Sequence, residues 1–398
     1  MPSKNLFRKL RSLFERSEYF LILTITLESI HVVALRVNFE KKKIRIVKEA
    51  LRQIQNRGEE TIQTALAASL KTIPKRFREG RVVLSLHPTL ATTIHSTVEL
   101  TRDTPQEPID NTDLDQRIAQ AIWRLFDGER SRAAVKMGIS DLEVALSDVG
   151  VRRVRLDGHT VLNPLGFKAT TMAIELRQTF CAKSLMEHVR KLFPKSRSLF
   201  MIESGMAVVE LVAHVEKQSP FLFVQVGISE TSFYTADRSE MVYRDAIGWG
   251  EKEFFSALGE TFAVDPVTAR AILQKYLRGE ASPKMRVTLE KIFFSELHTL
   301  GKGIGVHLGA MKKVYLYAPF ALPPFIFSPR FAWHIASRPK ILPAGDALIT
   351  ETLGFTVEGK TSTSDFFIPP VALLAFYFSS GDATMDSIAK RHARWLIN

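Results

Sequence analysis

The stretch FLFVQVGISETSFYTADRSEMVYRDAIGWG, residues 221–250, decides how the rest of the chain is read. An apolar run turns at Gly227, continues through β-forming residues, and turns again near Asp237 and Arg238. A further strand-like piece ends at Gly248 and Gly250. Strand, tight glycine turn and strand is one way to hold a phosphate. The N–H groups of the turn face the oxygens, and glycine lets that backbone come close. Only one glycine occupies the first turn here, and no acid precedes it. The stretch has the outline of a phosphate hairpin without its chemistry.

Working outward, a chain of 398 residues is long enough for two or more lobes. With 45% hydrophobic and 24% charged residues it has the composition of a globular protein. The lone Cys181 has no partner for an internal disulfide and reads as a buried thiol in a reducing cytoplasm. A net charge of +12 favours a polyanionic neighbour, nucleic acid or an anionic membrane surface. Basic motifs interleaved with aromatics are absent, which argues against nucleic acid. The longest charge-free runs, Val314–Pro329 and Phe366–Gly381, are sixteen residues each and broken by proline. Both fall short of the roughly twenty residues of a membrane helix. The first residues carry charge throughout and lack the apolar core of a secretory signal.

Residues 20–48 read as three strands with turns near Glu28 and Glu40, and 48–72 as a helix. Residues 81–88 form a further strand, and the polar, proline-containing run at 101–113 marks a boundary. A helix follows at 113–126 with Thr112 as its N-cap, then strands at 142–147 and 151–156 and a turn at Asp157-Gly158. After an alternating strand at 170–180 come helices at 182–193 and 206–215. Beyond Gly250 the chain is largely helical, with a buried strand at 314–319 and a β-rich region near 340–358. Strands followed by helices, near 20–72 and again near 221–300, predict two related α/β lobes with a cleft between them.

The middle of the chain carries a family likeness. IDNTDLDQRIAQAI, then Asp157-Gly158, Asn163-Pro164-Leu165-Gly166, the alternating strand and AKSLMEHVRKLF resemble the inserted subdomain of the FtsA family. Those are actin-like proteins that tether the bacterial division ring to the membrane. The related pilus-assembly protein PilM shares their fold. The resemblance implies an α/β, actin-like (ribonuclease H-like) two-lobed fold with a small inserted α+β subdomain. It implies a first lobe over 19–108, an insert over 109–200, and a return to the first lobe at 201–220. It further implies a second lobe and closing helix over 221–380 and terminal segments at 1–18 and 381–398. A division-ring or pilus-assembly protein is the implied partner, with self-association as a further expectation.

In that family ATP and magnesium are held by acids and glycines that this chain lacks. In the first hairpin the family's aspartate becomes Thr24 and its glycine Thr26, while Glu28 places a negative charge where phosphate would sit. In the second hairpin, Gln225 replaces the acid, Gly227 is the one glycine of three, and Ser229, Glu230 and Thr231 follow. The adenosine-side glycines become Ala318-Pro319-Phe320, where proline removes a donor and phenylalanine crowds the base. Magnesium wants carboxylate oxygens, and neither hairpin supplies one at the family position. The expectation is a degenerate nucleotide cleft at Thr24, Thr26, Gln225, Gly227, Ser229, Thr231 and Ala318, with no ATPase activity and no cofactor; the alternative is an active ATPase of the same fold.

Other constellations are bland. Gly301, Gly303 and Gly305 read as a loop after a helix, the scattered histidines do not form a metal set, and the acids at 103–115 read as a solvated face. The termini say more. Residues 3–16 place Leu6, Phe7, Leu10, Leu13 and Phe14 on one helical face, and Lys4, Arg8, Lys9, Arg11 and Arg16 against Glu15 give five minus one, +4. The last residues carry Ile388, Arg391, Trp395 and Leu396 in similar style. Both ends are expected to bind an anionic membrane at its cytoplasmic face, through Phe7, Lys9, Leu10, Arg11, Leu13 and Phe14 and through the C-terminal four; the alternative for each is a terminal helix docked on its own core.

Overall fold

A computed structural model describes residues 17–397, except 27, 55–58, 197, 217–218, 238–240, 319–321, 346–353, 360–372 and 374–382. At 59, 60, 214, 383 and 394–397 only the backbone is described. The chain divides into two compact units, residues 1–207 with 353–362 and 369–398, and residues 208–352 with 363–368.

The first unit opens with a meander of β1 (Glu18–Ile25), β2 (Ser29–Asn38) and β3 (Lys43–Gln53). β1 is buried along Phe20–Ile25 because it is flanked on both sides, antiparallel to β2 and parallel to a later strand. β3 lies toward the sheet edge and alternates exposed and buried at its start. The sequence reading ends this strand too early. Lys48–Gln53 are good helix formers, yet they continue β3 because β2 supplies ladder partners as far as Ser29↔Gln53. The helix α1 begins only at Glu59 and ends at Leu70. Then come α2 (Lys75–Arg78) and β4 (Arg81–Leu86).

An excursion follows before the sheet resumes. β5 (Ala91–Thr101), α3 (Asn111–Met137), β6 (Val144–Leu156), β7 (His159–Val161) and β8 (Thr171–Ala182) form a second, antiparallel sheet in the order β5-β8-β6-β7. The cap of α3 is Asp110, which accepts from the Asp113 N–H, not Thr112. Gly138 ends the helix in the left-handed conformation. The strands expected at 142–147 and 151–156 are one strand, β6, with irregularities near Ser147 and Arg152. The chain returns through α4 (Lys183–Leu192) and β9 (Ser198–Glu203) to α5 (Met206–Val215). Leu185, Met186 and Val189 of α4 belong to the core under β1, β2 and β4. The insert therefore spans 91–182, not 109–200. The polar run at 101–113 that looked like a boundary is the link from β5 to α3.

The second unit carries β10 (Phe221–Val226), β11 (Thr231–Ala236) and β12 (Met241–Ile247), then α6 (Glu251–Phe262), α7 (Pro266–Leu277) and α8 (Pro283–Leu308). β13 (Lys313–Tyr317), α9 (Pro329–Ala332) and β14 (Lys340–Pro343) complete it. Its sheet runs β12-β11-β10-β13-β14, and the first sheet contains the run β3-β2-β1-β4-β9. Pair by pair the directions agree, antiparallel across the first three strands and parallel across the last three. Gly301, Gly303 and Gly305 do not form a loop but lie inside α8. A Cβ on Gly303 would lie 2.8 Å from Phe233 and 3.0 Å from Ile247, so glycine there lets α8 settle on the sheet.

The chain then returns to the first unit. β15 (Thr356–Glu358) adds an edge to β3, and α10 (Ala383–Ile397) packs on the insert.

Candidate functional site

Each unit holds one of the two hairpins. In the first, β1 ends at Ile25 and β2 starts at Ser29. Thr26 closes the turn. Its Oγ1 accepts from the N–H of Ser29 at 3.0 Å and of Glu28 at 3.3 Å, and its own N–H donates to the Ser29 carbonyl at 2.9 Å. A side-chain oxygen thus occupies the donors of a turn that, in a phosphate loop, would face an anion. Thr24, 8% exposed, stands beside Ser85 in the parallel register. Thr24 Oγ1 and Ser85 Oγ are buried without hydrogen-bond partners among the described residues. Opposite Thr24, His31 pairs through Nε2 with Glu49 at 2.7 Å.

In the second hairpin, the Gly227 N–H donates to the Glu230 carbonyl at 2.7 Å. A Cβ on Gly227 would lie 2.9 Å from that oxygen, so this glycine serves the turn itself. The start of α6 is tied to the same turn: Glu251 N–H donates to Gly227 O at 3.0 Å and Lys252 N–H to Ile228 O at 2.9 Å. Those are the orphan donors that make a helix N-terminus attractive to anions, and here carbonyls take them. Burial pushes the Glu251 carboxyl up, against the pull of Arg270. Thr231 Oγ1 donates to Trp249 O at 2.8 Å, and Ser229 is buried. Gln225 pairs in register with Tyr317, and its Oε1 is buried without a partner among the described residues. Ala318, just past β13, is partly buried against the core of this unit; Pro319 and Phe320 lie outside the described residues. Thr24 and Gln225 carry no carboxylate, and among the described residues no group of His, Cys, Asp or Glu is arranged to hold a metal. These residues do not fit ATP with magnesium.

The insert's motif has a local structural role. Asp157 and Gly158 turn with positive φ of 45° and 85°. The Asp157 carboxylate accepts from the N–H groups of Thr171 and Thr170, which holds its pKa below the usual carboxylate value. Asn163 Oδ1 accepts from Leu165 N–H, and Gly166 N–H donates to Ile109 O, bracing the lead into α3. Glu203, fully buried at the end of β9, accepts from Thr93 N–H at 2.8 Å and sits 3.5 Å from Lys136 Nζ, linking the first sheet to the insert. Cys181 is a buried thiol, its pKa pushed up to about 12 by burial.

The C-terminal segment departs from the membrane expectation. Met385, Ala389 and Ala393 are buried in the insert's core, with Ile388 packed alongside. Arg391 and His392 pair with Asp115 of α3. Asp386 accepts from the Val151 N–H of β6 at 2.8 Å, and Lys390 Nζ lies 3.8 Å from Asp148. Ile388 and Arg391 are docking residues, because an amphipathic helix with basic flanks satisfies a half-covered sheet as well as a lipid face. The side chains of Trp395 and Leu396, and all of Phe7, Lys9, Leu10, Arg11, Leu13 and Phe14, lie outside the described residues. Among the described residues no helix is long and apolar enough to cross a membrane.

Burial raises the Asp386 pKa from 3.8 to about 6, against Arg177, the Val151 N–H and Lys390, with Asp148 adding to the rise. The folded state therefore holds the proton more tightly than the unfolded one. Stability falls as pH rises from about 4 to about 6 and is level above, a loss of up to about 3 kcal/mol. Asp386→Asn keeps an acceptor for Val151 and removes the buried charge. Urea unfolding at neutral pH should show the variant more stable than the parent, with the advantage gone near pH 4. Equal stability at both pH values would refute this account of the latch.

No protein-family model matches the chain, and no curated protein does. Among solved structures it is similar to a PilM-PilN type IV pilus biogenesis complex, at 14% identity and TM-score 0.52, over 89% of this chain and 98% of that one. It is also similar to a Bacteroides thetaiotaomicron protein with an actin-like ATPase fold and unknown function, at 8% identity and TM-score 0.41, over 85% and 96% of the two chains. An archaeal actin homologue in complex with ADP is similar at 11% identity and TM-score 0.41, over 90% and 100%. Two sheets of one strand order, an insert between the fourth and fifth strands of the first, and the likeness to PilM agree: the chain has the actin-like fold.

Proposed function

We propose that this chain is an actin-like adaptor that works at an anionic membrane face in an envelope-assembly machine and does not hydrolyse ATP. The first hairpin carries the reading. Thr26 occupies the N–H groups of Glu28 and Ser29, and Thr24 and Gln225 stand where the family's acids would bind magnesium. The likeness to the PilM-PilN complex supports the pilus-assembly form, in which the partner is another protein of that machine. The motif from Asp157 to Gly166 favours the FtsA-type, division-ring form. The docked α10 argues against an FtsA-type tether at that end, which leaves residues 1–16 as the membrane segment.

The expected result with ATP and magnesium is phosphate release at the no-enzyme background. ATP should also leave the melting temperature unchanged, because a ligand that binds only the folded state raises it. Turnover that disappears in Thr24→Ala or Gln225→Ala would establish an active ATPase instead. Co-expression with a PilN-type partner or with a division-ring polymer separates the two forms by which one co-purifies.

A further inference from the structure

The long helix of the insert, α3, keeps one face open to solvent. Its other face buries Leu114, Ile118, Ala121, Ile122 and Phe126 in the insert's core. On the open face Trp123 is 55% exposed. An exposed tryptophan is a frequent anchor of protein interfaces. Gly128, further along the helix, is also exposed, and nothing lies within 4 Å of a Cβ added there. Glycine inside a helix costs stability relative to alanine, and no contact within the chain requires it at this position. Between the two lie Arg124 and Asp127. Arg124 is exposed and makes no ion pair among the described residues. The Asp127 side chain is 83% exposed, with Arg130 at 3.3 Å on the same helix.

These residues are arranged symmetrically along the helix. Gln120, Arg124, Asp127 and Ser131 recur at spacings of four and three, which makes one stripe. Trp123 flanks that stripe on one side and Gly128 on the other. A second copy of α3, laid antiparallel on this face with a two-fold axis between Leu125 and Phe126, meets it in one register. Arg124 faces Asp127 of the second copy, and Asp127 faces the second copy's Arg124. In the same register Trp123 lies over Gly128 of the second copy, where any larger side chain would fill the place of the indole. A two-fold contact needs this reciprocity, residue i on j and j on i. Arg117 pairs with Asp103 near the start of the helix, and Ser131 bonds to Asp141 toward its end. Loops therefore flank both ends, and the two helices meet at their centres. The contact is small, as in a weak dimer.

We propose that the chain pairs with a second copy of itself through α3, antiparallel, with Trp123 seated on Gly128 and Arg124 paired with Asp127 across the two-fold axis. A different protein would also cover Trp123, but it would not require Arg124 and Asp127 to mirror each other about the same point as Trp123 and Gly128. The ion pairs lie at the rim of a small contact, so salt weakens the association. Pairing gives an adaptor two copies of each weak contact it makes, which strengthens attachment to a surface or polymer without new residues. The proposal is independent of the ATP and membrane readings above.

The test is sedimentation equilibrium of the full chain between about 1 and 300 μM, the range in which a small interface associates. The wild type should be a mixture of monomer and dimer. Trp123→Ala should weaken the association at least about 30-fold. Gly128→Leu should abolish it and still fold by circular dichroism, because leucine favours helix and position 128 faces open space. Charge exchange then tests the register. Arg124→Asp alone and Asp127→Arg alone each put like charges across the axis, and each should remain monomeric. Mixed in equal amounts, the two variants carry opposite charges across the axis at both places and should form a heterodimer. A wild type that pairs, with single variants that pair only with each other, requires position 124 opposite position 127. A wild type that stays monomeric throughout the range overturns the proposal. A dimer that survives both Trp123→Ala and Gly128→Leu also overturns it, since the interface then lies elsewhere. Single variants that fail to pair on mixing overturn it as well.

Discussion

Arg177→Met should cost the first unit about 3–5 kcal/mol, the usual consequence of breaking a buried ion pair from one side. Arg177 is 1% exposed, and its Nη2 lies 2.9 Å from Asp148, itself 6% exposed. The guanidinium also stands 5.5 Å from the centre of the Phe200 ring and lowers the pKa of Asp386. Removing it leaves two carboxylates in an apolar setting with Lys390 as the remaining cation nearby. The double variant Arg177→Met/Asp148→Leu removes the orphaned charge as well and should regain at least half of the loss. Urea unfolding followed by circular dichroism measures both. A single-variant cost under about 1 kcal/mol would mean that water reaches the pair and that the insert is not latched there.

The second large effect is expected at Gly250→Ala. The backbone there is extended, with φ of −167°, a conformation open to any residue. The obstacle is contact: an added Cβ would lie 2.5 Å from the Ile228 carbonyl oxygen and 2.6 Å from that of Gly227. The hairpin and the start of α6 must separate, which breaks the bonds from Glu251 and Lys252 to those same oxygens. Overpacking and two lost hydrogen bonds together give about 3–5 kcal/mol. Gly248→Ala is the control, since nothing lies within 4 Å of its added Cβ. It should stay within about 0.5 kcal/mol of the parent. Similar unfolding curves for the two variants would show that the hairpin and helix are not locked together.

Much of the architecture was legible because buried strands write themselves plainly. Phe20–Ile25 and Phe221–Val226 are short apolar runs bounded by turns, and both are the first strands of their sheets. The residue types of the hairpins, Thr24, Thr26 and Gln225 among them, were equally visible. Lys48–Gln53 was not legible as strand, since its pairing with β2 overrides a helical propensity. The glycines of α8 were misread because only Phe233, distant in sequence, explains them. Thr26 looked like a plain loss of glycine, and its closing of the turn emerged only with coordinates. The one clue to Gly250 was the glycine pair in the opening stretch. The docking of α10 was hidden for a different reason: Met385, Ile388, Ala389 and Ala393 make an apolar stripe that reads alike for lipid and for core.

The docking of α10 also sets an order of events during synthesis. The insert is complete through Ala182, yet its core takes in Met385, Ala389 and Ala393, and the contact between Val151 and Asp386 spans 235 positions. A ribosome must make the whole second unit before the insert can close. Until then β6 keeps a bare flank and Val151 an unmet N–H, the kind of exposed strand that invites aggregation. Closure over such a distance is slow, because chain entropy is surrendered before the contact repays it. The insert thus seals only once α10 has been made: a copy truncated before Ala383 would carry the second unit and an insert that never closes.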